Sequence, residues 1–355
     1  MTPATMRMRP GTIVVACAPG TVQVGADRRW ATRLGGLSRG ESAWIRYAGS
    51  RPGQFGRSAH RFRVTQARAT ELCDVLATAG HLVPQPAEHA ERIPLRRAGG
   101  RTDVAALSAI RDDGDGATTL RNRADKRVAI TDAGRLGAQI ALLLAGAGVG
   151  ELQIPDERKV TAADLGPYDL SQIDQPRVAA LRAKCAALGL RPSFEQAAKP
   201  HVIVSIEAAA PAAAYFSKML QAAVPHLPIA LAEAGAELGP FVLPGRTACV
   251  HCYHLTIAES DPDWPDYVQN ARELDSPPVE TVAAGAIASL VAAQVLTFLD
   301  GARPTLANAT ATITLPDLAP DFTQVTPDSA CGCAGVPATP PPAAAPAMAR
   351  HIARS

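Results

Sequence analysis

The stretch from residue 127 to residue 232 alternates between short apolar runs, typical of buried strands, and longer segments with helical periodicity. The predicted strands are 128–131, 151–154, 201–206 and 226–232, and the predicted helices are 136–147, 176–188 and 212–224. Alternation of this kind favours a parallel sheet with helices on both faces. We therefore predict an α/β fold built on a doubly wound, Rossmann-like parallel sheet.

The chain before this stretch has a different pattern. β-like runs at 11–16 and 21–24 are followed by helical periods at 43–47 and 64–79, and Gly80 is placed as a C-terminal helix cap. These features predict that residues 1–85 form a small winged-helix-like α+β module, which we interpret as a recognition module. Residues 86–125 are polar with Gly and Asp clusters and predict a linker, residues 126–335 form the larger domain, and the Ala/Pro-rich residues 336–355 predict a disordered tail.

Length and charge limit the functional classes. A chain of 355 residues with 47% hydrophobic content is long enough to bury two cores. With 35 Lys and Arg against 33 Asp and Glu, the formal net charge of +2 gives no case for binding nucleic acid or a membrane.

The apolar stretch 282–299 approaches the length needed to span a membrane, but its alanine content favours a buried helix. The N-terminus lacks a basic region followed by an apolar run, so we predict a cytoplasmic location.

Four cysteines form two close pairs in the second half of the chain. The pairs are Cys249-x-x-Cys252 and Cys331-x-Cys333. Thiolates at these spacings are typical of a structural zinc site, in which four protein ligands leave no position for a catalytic water. Two disulfides or simple packing are the alternatives, and the first is disfavoured in reducing cytosol. The isolated cysteines are interpreted as small apolar fillers, namely Cys17, Cys73 and Cys185.

The turn after the first strand of the larger domain is the candidate nucleotide site. A phosphate-binding loop at this place uses glycines and the positive end of the following helix. Gly134 and Gly137 keep two of the three glycines, whereas Asp132 replaces the first and brings a carboxylate to the phosphate position. Gly137 is also consistent with close packing of the helix on the sheet. The turn alone is therefore weak evidence for a nucleotide.

Taken in order, several segments resemble the ThiF/MoeB-like activating enzymes, relatives of the ubiquitin-activating enzymes. The segments are 131–150, 155–165, 175–177, 239–252 and 331–333. The resemblance implies a ThiF/MoeB-like fold and a homodimer. It also implies that the family's chemistry is the adenylation of a carboxylate, often the C-terminus of a small carrier protein, with ATP and magnesium.

The same resemblance assigns roles to individual positions. It implies Asp156 as the ribose ligand and Arg177 in place of the family's phosphate-binding lysine. Arg158 stands where the family has a second acid, and Glu207 is the one acid near the position of the magnesium-binding aspartate. Gly134 and Gly137 complete the expected cofactor-binding set. These departures imply that the adenylation site is eroded.

A subset of this superfamily fits an eroded site. In clusters that make thiazole- or oxazole-containing peptides, ThiF-like proteins act as cyclodehydratase components that bind a precursor's leader and present it to a YcaO enzyme. Residues 11–83 are similar to their winged-helix-like module, and 21–24 is the candidate edge strand for a peptide. The leading hypothesis is a zinc-binding scaffold for a peptide or carrier protein. The alternatives are an active ATP-dependent adenylyltransferase and a winged-helix DNA-binding regulator.

Overall fold

The computed structural model describes residues 3–85, 100–111, 113–196, 198–336 and 338. The chain divides into two compact units, an N-terminal unit that includes Met1–Leu120 and a large unit, Arg121–Ala345. The boundary between them falls inside a helix, at the end of the segment predicted as a linker.

The N-terminal unit is an α+β structure. Its strands are β1 (Met6–Met8), β2 (Val14–Ala18), β3 (Thr21–Val24), β4 (Thr32–Leu34) and β5 (Leu82–Pro84), and its helices are α1 (Arg39–Ser50), α2 (Phe55–Ser58), α3 (Gln66–Thr78), α4 (Gly100–Ile110) and the start of α5 (Gly116–Ala124). Strands β2, β3 and β4 form an antiparallel sheet in that order, and β1 pairs with β5. A separate core forms where α1 and α3 bury their apolar faces with the inner face of this sheet.

Helix α1 begins with a capping box. The Ser38 hydroxyl accepts the backbone N–H of Glu41 at 3.2 Å, and the Glu41 carboxylate accepts the backbone N–H of Ser38 at 2.7 Å. These bonds satisfy backbone donors that a helix start leaves free. One turn later, Trp44 is fully buried, stacks on Phe55 and donates its indole N–H to the Phe55 carbonyl. Local capping and core packing therefore fix the same helix.

Two expectations about this part of the chain are wrong. The predicted linker contains α4 and α5, and the Asp115 carboxylate accepts the backbone N–H of Thr118 at the start of α5. The candidate edge strand 21–24 is β3, the central strand of its sheet, so both of its edges are already paired. Residues 86–99 of the linker and nearly all of the tail 336–355 lie outside the described residues.

The large unit contains a seven-stranded sheet. Its strands are β6 (Arg127–Ile130), β7 (Glu151–Gln153), β8 (Val202–Ala208), β9 (His226–Ala232), β10 (Gly235–Leu238), β11 (Ala309–Thr314) and β12 (Pro320–Gln324), and its helices are α6 (Arg135–Gly146), α7 (Arg177–Ala187), α8 (Ala213–Gln221), α9 (Val250–Ala258), α10 (Trp264–Ala271) and α11 (Thr281–Leu299). The strand order is β12-β11-β10-β9-β8-β6-β7.

The predicted α/β class and Rossmann-like sheet are confirmed. Strands β7, β6, β8 and β9 are parallel, as the alternation of strands and helices requires, while β10, β11 and β12 extend the sheet with antiparallel pairs. The strand order turns back between β6 and β8, which places the turns after β6 and β8 at the switch point where ligands bind in open α/β sheets.

Helix α11 is the apolar stretch noted in the sequence. Among the described residues it is the one helix long and apolar enough to cross a membrane, with a mean hydropathy of 2.0 in its most apolar window. It packs against α6, and Ile287, Val291 and Val295 are fully buried in the main core. Its apolar character is therefore accounted for by its place in that core.

Candidate functional site

The turn between β6 and α6 carries the two glycines of the predicted nucleotide site. Gly134 is the N-cap of α6, and its backbone N–H donates to the Asp132 carboxylate at 2.5 Å. A Cβ on Gly137 would lie 1.8 Å from the backbone oxygen of Asp132, so the close approach of helix and turn requires glycine there. The Asp132 carboxylate thus occupies the positive end of the helix dipole, the place at which helices bind phosphate.

Asp156, the expected ribose ligand, follows β7 and is buried. One carboxylate oxygen accepts the backbone N–H and the Nε–H of Arg158 at 2.9 and 2.8 Å. The other accepts the backbone N–H of Ala133 at 2.9 Å and guanidinium groups of Arg158 and Arg177 at 3.0 and 3.2 Å. Burial alone would raise the pKa of Asp156, but the hydrogen bonds from Arg158 and Ala133 outweigh it and lower this pKa to about 2. Both carboxylate oxygens of Asp156 are therefore already hydrogen-bonded within the chain.

Arg177, the expected phosphate ligand, is the first residue of α7 and points into the same turn. Its guanidinium lies 2.9 Å from Asp164, 3.2 Å from Asp156 and 3.7 Å from Asp132. Arg158 bridges Asp132 and Asp156 from the outside. We call these five residues the arginine–aspartate network. Three carboxylates and two guanidinium groups give it a formal charge of −1, which opposes the approach of a triphosphate.

Glu207, the expected magnesium ligand, lies near the end of β8, and its carboxylate is also hydrogen-bonded within the chain. One oxygen accepts the Ser205 hydroxyl at 2.7 Å and the other accepts the backbone N–H of Ala212 at 2.7 Å, just before α8. Burial raises the pKa of Glu207, and these hydrogen bonds only partly offset that effect. The side chain therefore links β8 to the start of α8.

The four cysteines come together as predicted. Their Sγ atoms all lie within 4.8 Å of one another, with separations of 3.8 Å for Cys249–Cys252, 3.4 Å for Cys249–Cys331 and 3.5 Å for Cys252–Cys333. Four thiolates about 2.3 Å from one tetrahedral zinc are about 3.8 Å apart, so the donor set and its spacing fit a structural metal. None of the cysteines forms a disulfide, and within the described ranges this is the one group of three or more His, Cys, Asp or Glu side chains placed for a metal.

Local structure explains how two distant segments present thiolates to one point. Cys249 is the N-cap of α9 and Cys252 lies in the first turn, which places both side chains at the same helix end. Gly332, between the other two cysteines, has a left-handed φ of 72°, a conformation that glycine adopts without strain. The turn at Gly332 lets Cys331 and Cys333 face the same point.

His254 lies two residues after Cys252 but is hydrogen-bonded elsewhere. Its ring contacts the Pro211 carbonyl at 2.9 Å and accepts the Trp264 indole N–H at 3.0 Å. The thiolate partner is the backbone N–H of Asp328, which lies 3.3 Å from the Cys252 Sγ. Burial would raise the pKa of Cys252, but this N–H helps to hold it below its usual value. Because every residue except proline can donate a backbone N–H, the sequence alone does not identify this partner.

The three isolated cysteines differ in their burial. Cys73 and Cys185 are buried in the two cores, as expected of apolar fillers. Cys17 is exposed on β2, so the same expectation is wrong for it. The local apolar run around Cys17 is an edge strand rather than a core strand, and sequence alone does not distinguish the two.

The fold of this chain is ThiF/MoeB-like, and solved structures share it. Two of them are Escherichia coli MccB with ATP, at 13% identity and a TM-score of 0.66, and the microcin C7 biosynthetic enzyme MccB in complex with N-formylated MccA, at 13% identity and a TM-score of 0.68. They cover 93% of this chain and 100% and 99% of their own. PaaA aligns at 15% identity with a TM-score of 0.61, covering 89% of this chain and 98% of its own. No protein-family model matches this sequence, and no curated protein matches it significantly.

Proposed function

We propose that this protein is a catalytically degenerate ThiF/MoeB-like scaffold in peptide modification. The observation that supports this most strongly is the arginine–aspartate network. The residues expected to bind ribose and phosphate, Asp156 and Arg177, are instead bonded to each other and to neighbouring groups. A nucleotide at this turn would have to displace buried, charge-assisted hydrogen bonds, and these are the strong ones in proteins.

The cargo we propose is a peptide or a carrier protein. The likeness to MccB in complex with MccA extends over 93% of this chain, so it includes the N-terminal unit as well as the large one. In this proposal the N-terminal unit recognises the peptide, and the large unit presents it to a modifying enzyme such as a YcaO cyclodehydratase. The four cysteines hold a structural zinc, and the protein acts as a cytoplasmic homodimer without nucleic acid or membrane partners.

The test of the scaffold is its response to nucleotide. We expect no change in Tm on adding ATP with magnesium, and no ATP–pyrophosphate exchange with peptides encoded beside the gene. The same peptides are expected to give saturable binding in calorimetric titration of the full chain. Pyrophosphate exchange that is lost in Asp156→Asn would contradict the scaffold and would assign nucleotide binding to this turn.

An active adenylyltransferase is the second candidate, and one observation favours it. The Arg158 side chain is 60% exposed, so it is able to swing away from Asp156 and uncover the ribose position. If it does so, Arg158→Ala is expected to strengthen ATP binding, whereas the scaffold proposal predicts no ATP binding by either protein. DNA binding has no comparable support, since the formal net charge is only +2.

A further inference from the structure

The N-terminal unit is strongly basic, although the whole chain is nearly neutral. Residues 1–85 contain 12 arginines and no lysine against four Asp and Glu, a formal net charge of +8, whereas the whole chain carries +2. Residues 42–70 contain six of these arginines and no acid. The acids that flank this segment, Glu41 and Glu71, each pair with Arg68 at 2.7 Å. The other five arginines of the segment therefore have no acid close to them in sequence.

Three of these arginines gather around one aromatic ring. The guanidinium carbons of Arg51 and Arg61 lie 5.1 and 5.8 Å from the centroid of the Tyr47 ring, within the range of cation–π contacts. The two guanidinium groups are therefore at most about 11 Å apart. Arg57 precedes Arg61 by four residues in the helical run 55–62, so it lies on the same side. We call Tyr47 and these three arginines the arginine surface.

The arginine surface has donors of hydrogen bonds but no anion to receive them. Its three arginines are exposed, and in the part of the chain that the structure describes none of them forms an ion pair. Arg61 donates to the Tyr47 hydroxyl at 3.4 Å, so the hydrogen of that hydroxyl is available to an acceptor. Guanidinium groups that share one ring repel each other, and a carboxylate placed between them relieves this repulsion.

Protein carboxylates fit the arginine surface better than a nucleic acid does. Single-stranded nucleic acids depend on bases that stack on open aromatic rings. The Tyr47 ring is half-buried and covered by guanidinium groups, and Phe62 packs against it with 5.3 Å between the ring centroids. The exposed face of α3 carries Glu71 and Asp74 against one arginine, Arg68, which opposes insertion of this helix into a DNA groove.

We propose that the arginine surface docks an acidic face of the modifying enzyme that receives the cargo. This inference rests on the proposed scaffold function and adds the docking surface and the charge of the partner. The backbone of the surface lies in helices, so it offers no strand edge to an extended peptide. Exposed charges at such an interface speed association and fix orientation. A second copy of this chain is the competing occupant, because residues 86–355 contain 23 basic and 29 acidic side chains.

The first test uses the full-length protein and fluorescein-labelled oligo-glutamate, a simple acidic polypeptide. Fluorescence anisotropy should show binding that weakens as salt is added, because the charges are exposed. The surface variant, Arg51→Glu/Arg57→Glu/Arg61→Glu, should weaken this binding by about tenfold or more. If its Tm shows a fold defect, the three arginines are replaced by glutamine, which removes the charge without reversing it.

The control variant changes the net charge of the N-terminal unit by the same amount at another place. Arg28→Glu/Arg33→Glu/Arg39→Glu replaces three exposed arginines that lie outside the arginine surface and form no ion pair among the described residues. It should weaken oligo-glutamate binding by about threefold at most, since only the long-range part of the attraction is altered. Equal losses in the two variants would show that net charge alone is responsible and would overturn the inference.

The second test uses the modifying enzyme encoded beside the gene, titrated against the protein loaded with its cargo peptide. The surface variant should weaken binding of this enzyme by about tenfold and leave the affinity for the peptide unchanged. Unchanged binding of the enzyme would overturn the inference, and weaker binding of the peptide would assign the surface to the cargo. If no cargo peptide binds the wild type, the proposed function itself fails, whereas failure of enzyme docking alone refutes only this surface.

Two further results would assign the arginine surface to another occupant. Tighter binding of oligo-thymidine than of oligo-glutamate of equal length would identify a nucleic-acid surface. A dimer of the wild type that the surface variant dissociates, and the control variant does not, would identify a second copy. Either result would overturn docking of an enzyme.

Discussion

Replacing Arg177 with methionine tests whether the arginine–aspartate network is structural. The Arg177 side chain is 11% exposed and pairs with Asp164, which is 5% exposed, and with Asp156, which is 1% exposed. Methionine keeps much of the volume but leaves buried carboxylates without their shared cation. Removing one partner of a buried ion pair costs about 3–5 kcal/mol, and we expect a loss in this range. Arg158→Met is the matched control, because at 60% exposure its pairs contribute about 1 kcal/mol or less.

The assay is urea unfolding followed at a probe in the large unit. The chain has three tryptophans, of which Trp264 alone lies in that unit, so 5-fluorotryptophan labelling and fluorine NMR report on it separately. The resonance is assigned with Trp264→Phe. The comparison requires equal m-values, since a change in m would indicate an altered unfolded state. A loss below about 1 kcal/mol for Arg177→Met, or equal losses in the two variants, would refute the structural role.

The same network predicts a pH dependence. The pKa of Asp156 is about 2 in the folded protein against 3.8 normally, a difference that corresponds to about 2 kcal/mol. Since the folded pKa is depressed, this stabilisation is fully present above about pH 4 and is lost as the pH falls towards 2. In Arg158→Met the folded pKa of Asp156 should rise, because the side-chain hydrogen bonds of Arg158 are the largest of the effects that lower it, so the large unit should lose less stability across this interval. An unchanged acid limb would mean that Arg158 does not hold the carboxylate ionised.

Two further predictions concern the metal centre and the close helix approach. Elemental analysis should find one zinc per chain, and Cys331→Ser should lower both the zinc content and the Tm of the large unit. If the large unit keeps its full stability after the metal is removed by a chelator, the metal is not structural. Gly137→Ala should destabilise the large unit by about 2 kcal/mol or more because its Cβ would meet the Asp132 backbone, whereas Gly146→Ala, in open space on the same helix, should stabilise it by up to about 1 kcal/mol. Equal effects in urea unfolding would contradict the packing argument.

The sequence predicts those features that depend on local pattern. Buried strands and amphipathic helices alternate from β6 onward with bounds close to those observed, and the cysteine spacing identifies a cluster whose halves are far apart in the chain. Helix α5 lies in a polar, glycine-rich segment that predicts a linker, although Asp115 is a recognisable N-cap signal. Whether a strand is central or at an edge depends on its partners, and for this reason the sequence does not show that β3 is the central strand of its sheet.

The nucleotide turn shows a different limit. By sequence, Arg158 and Asp132 are separate departures from the family pattern, and each implies a loss of function. In the structure Arg158 bonds to both Asp132 and Asp156, so the two departures compensate. Asp164 joins them through Arg177, and its carboxylate also accepts the backbone N–H and the hydroxyl of Thr161. Compensation between distant positions depends on tertiary contacts, which spacing along a single sequence does not reveal.

The cysteine cluster also sets an order of events during synthesis. Cys249 and Cys252 leave the ribosome together with the start of α9, but their partners follow only after α10, α11, β11 and β12. Until residue 333 emerges, the nascent chain carries an open pair of thiols next to a buried apolar surface. A metal held by all four cysteines would therefore close the large unit only after its last two strands have been made. Ribosome stalling or early termination before Cys331 would yield a chain that contains most of the sheet but no means of completing this site.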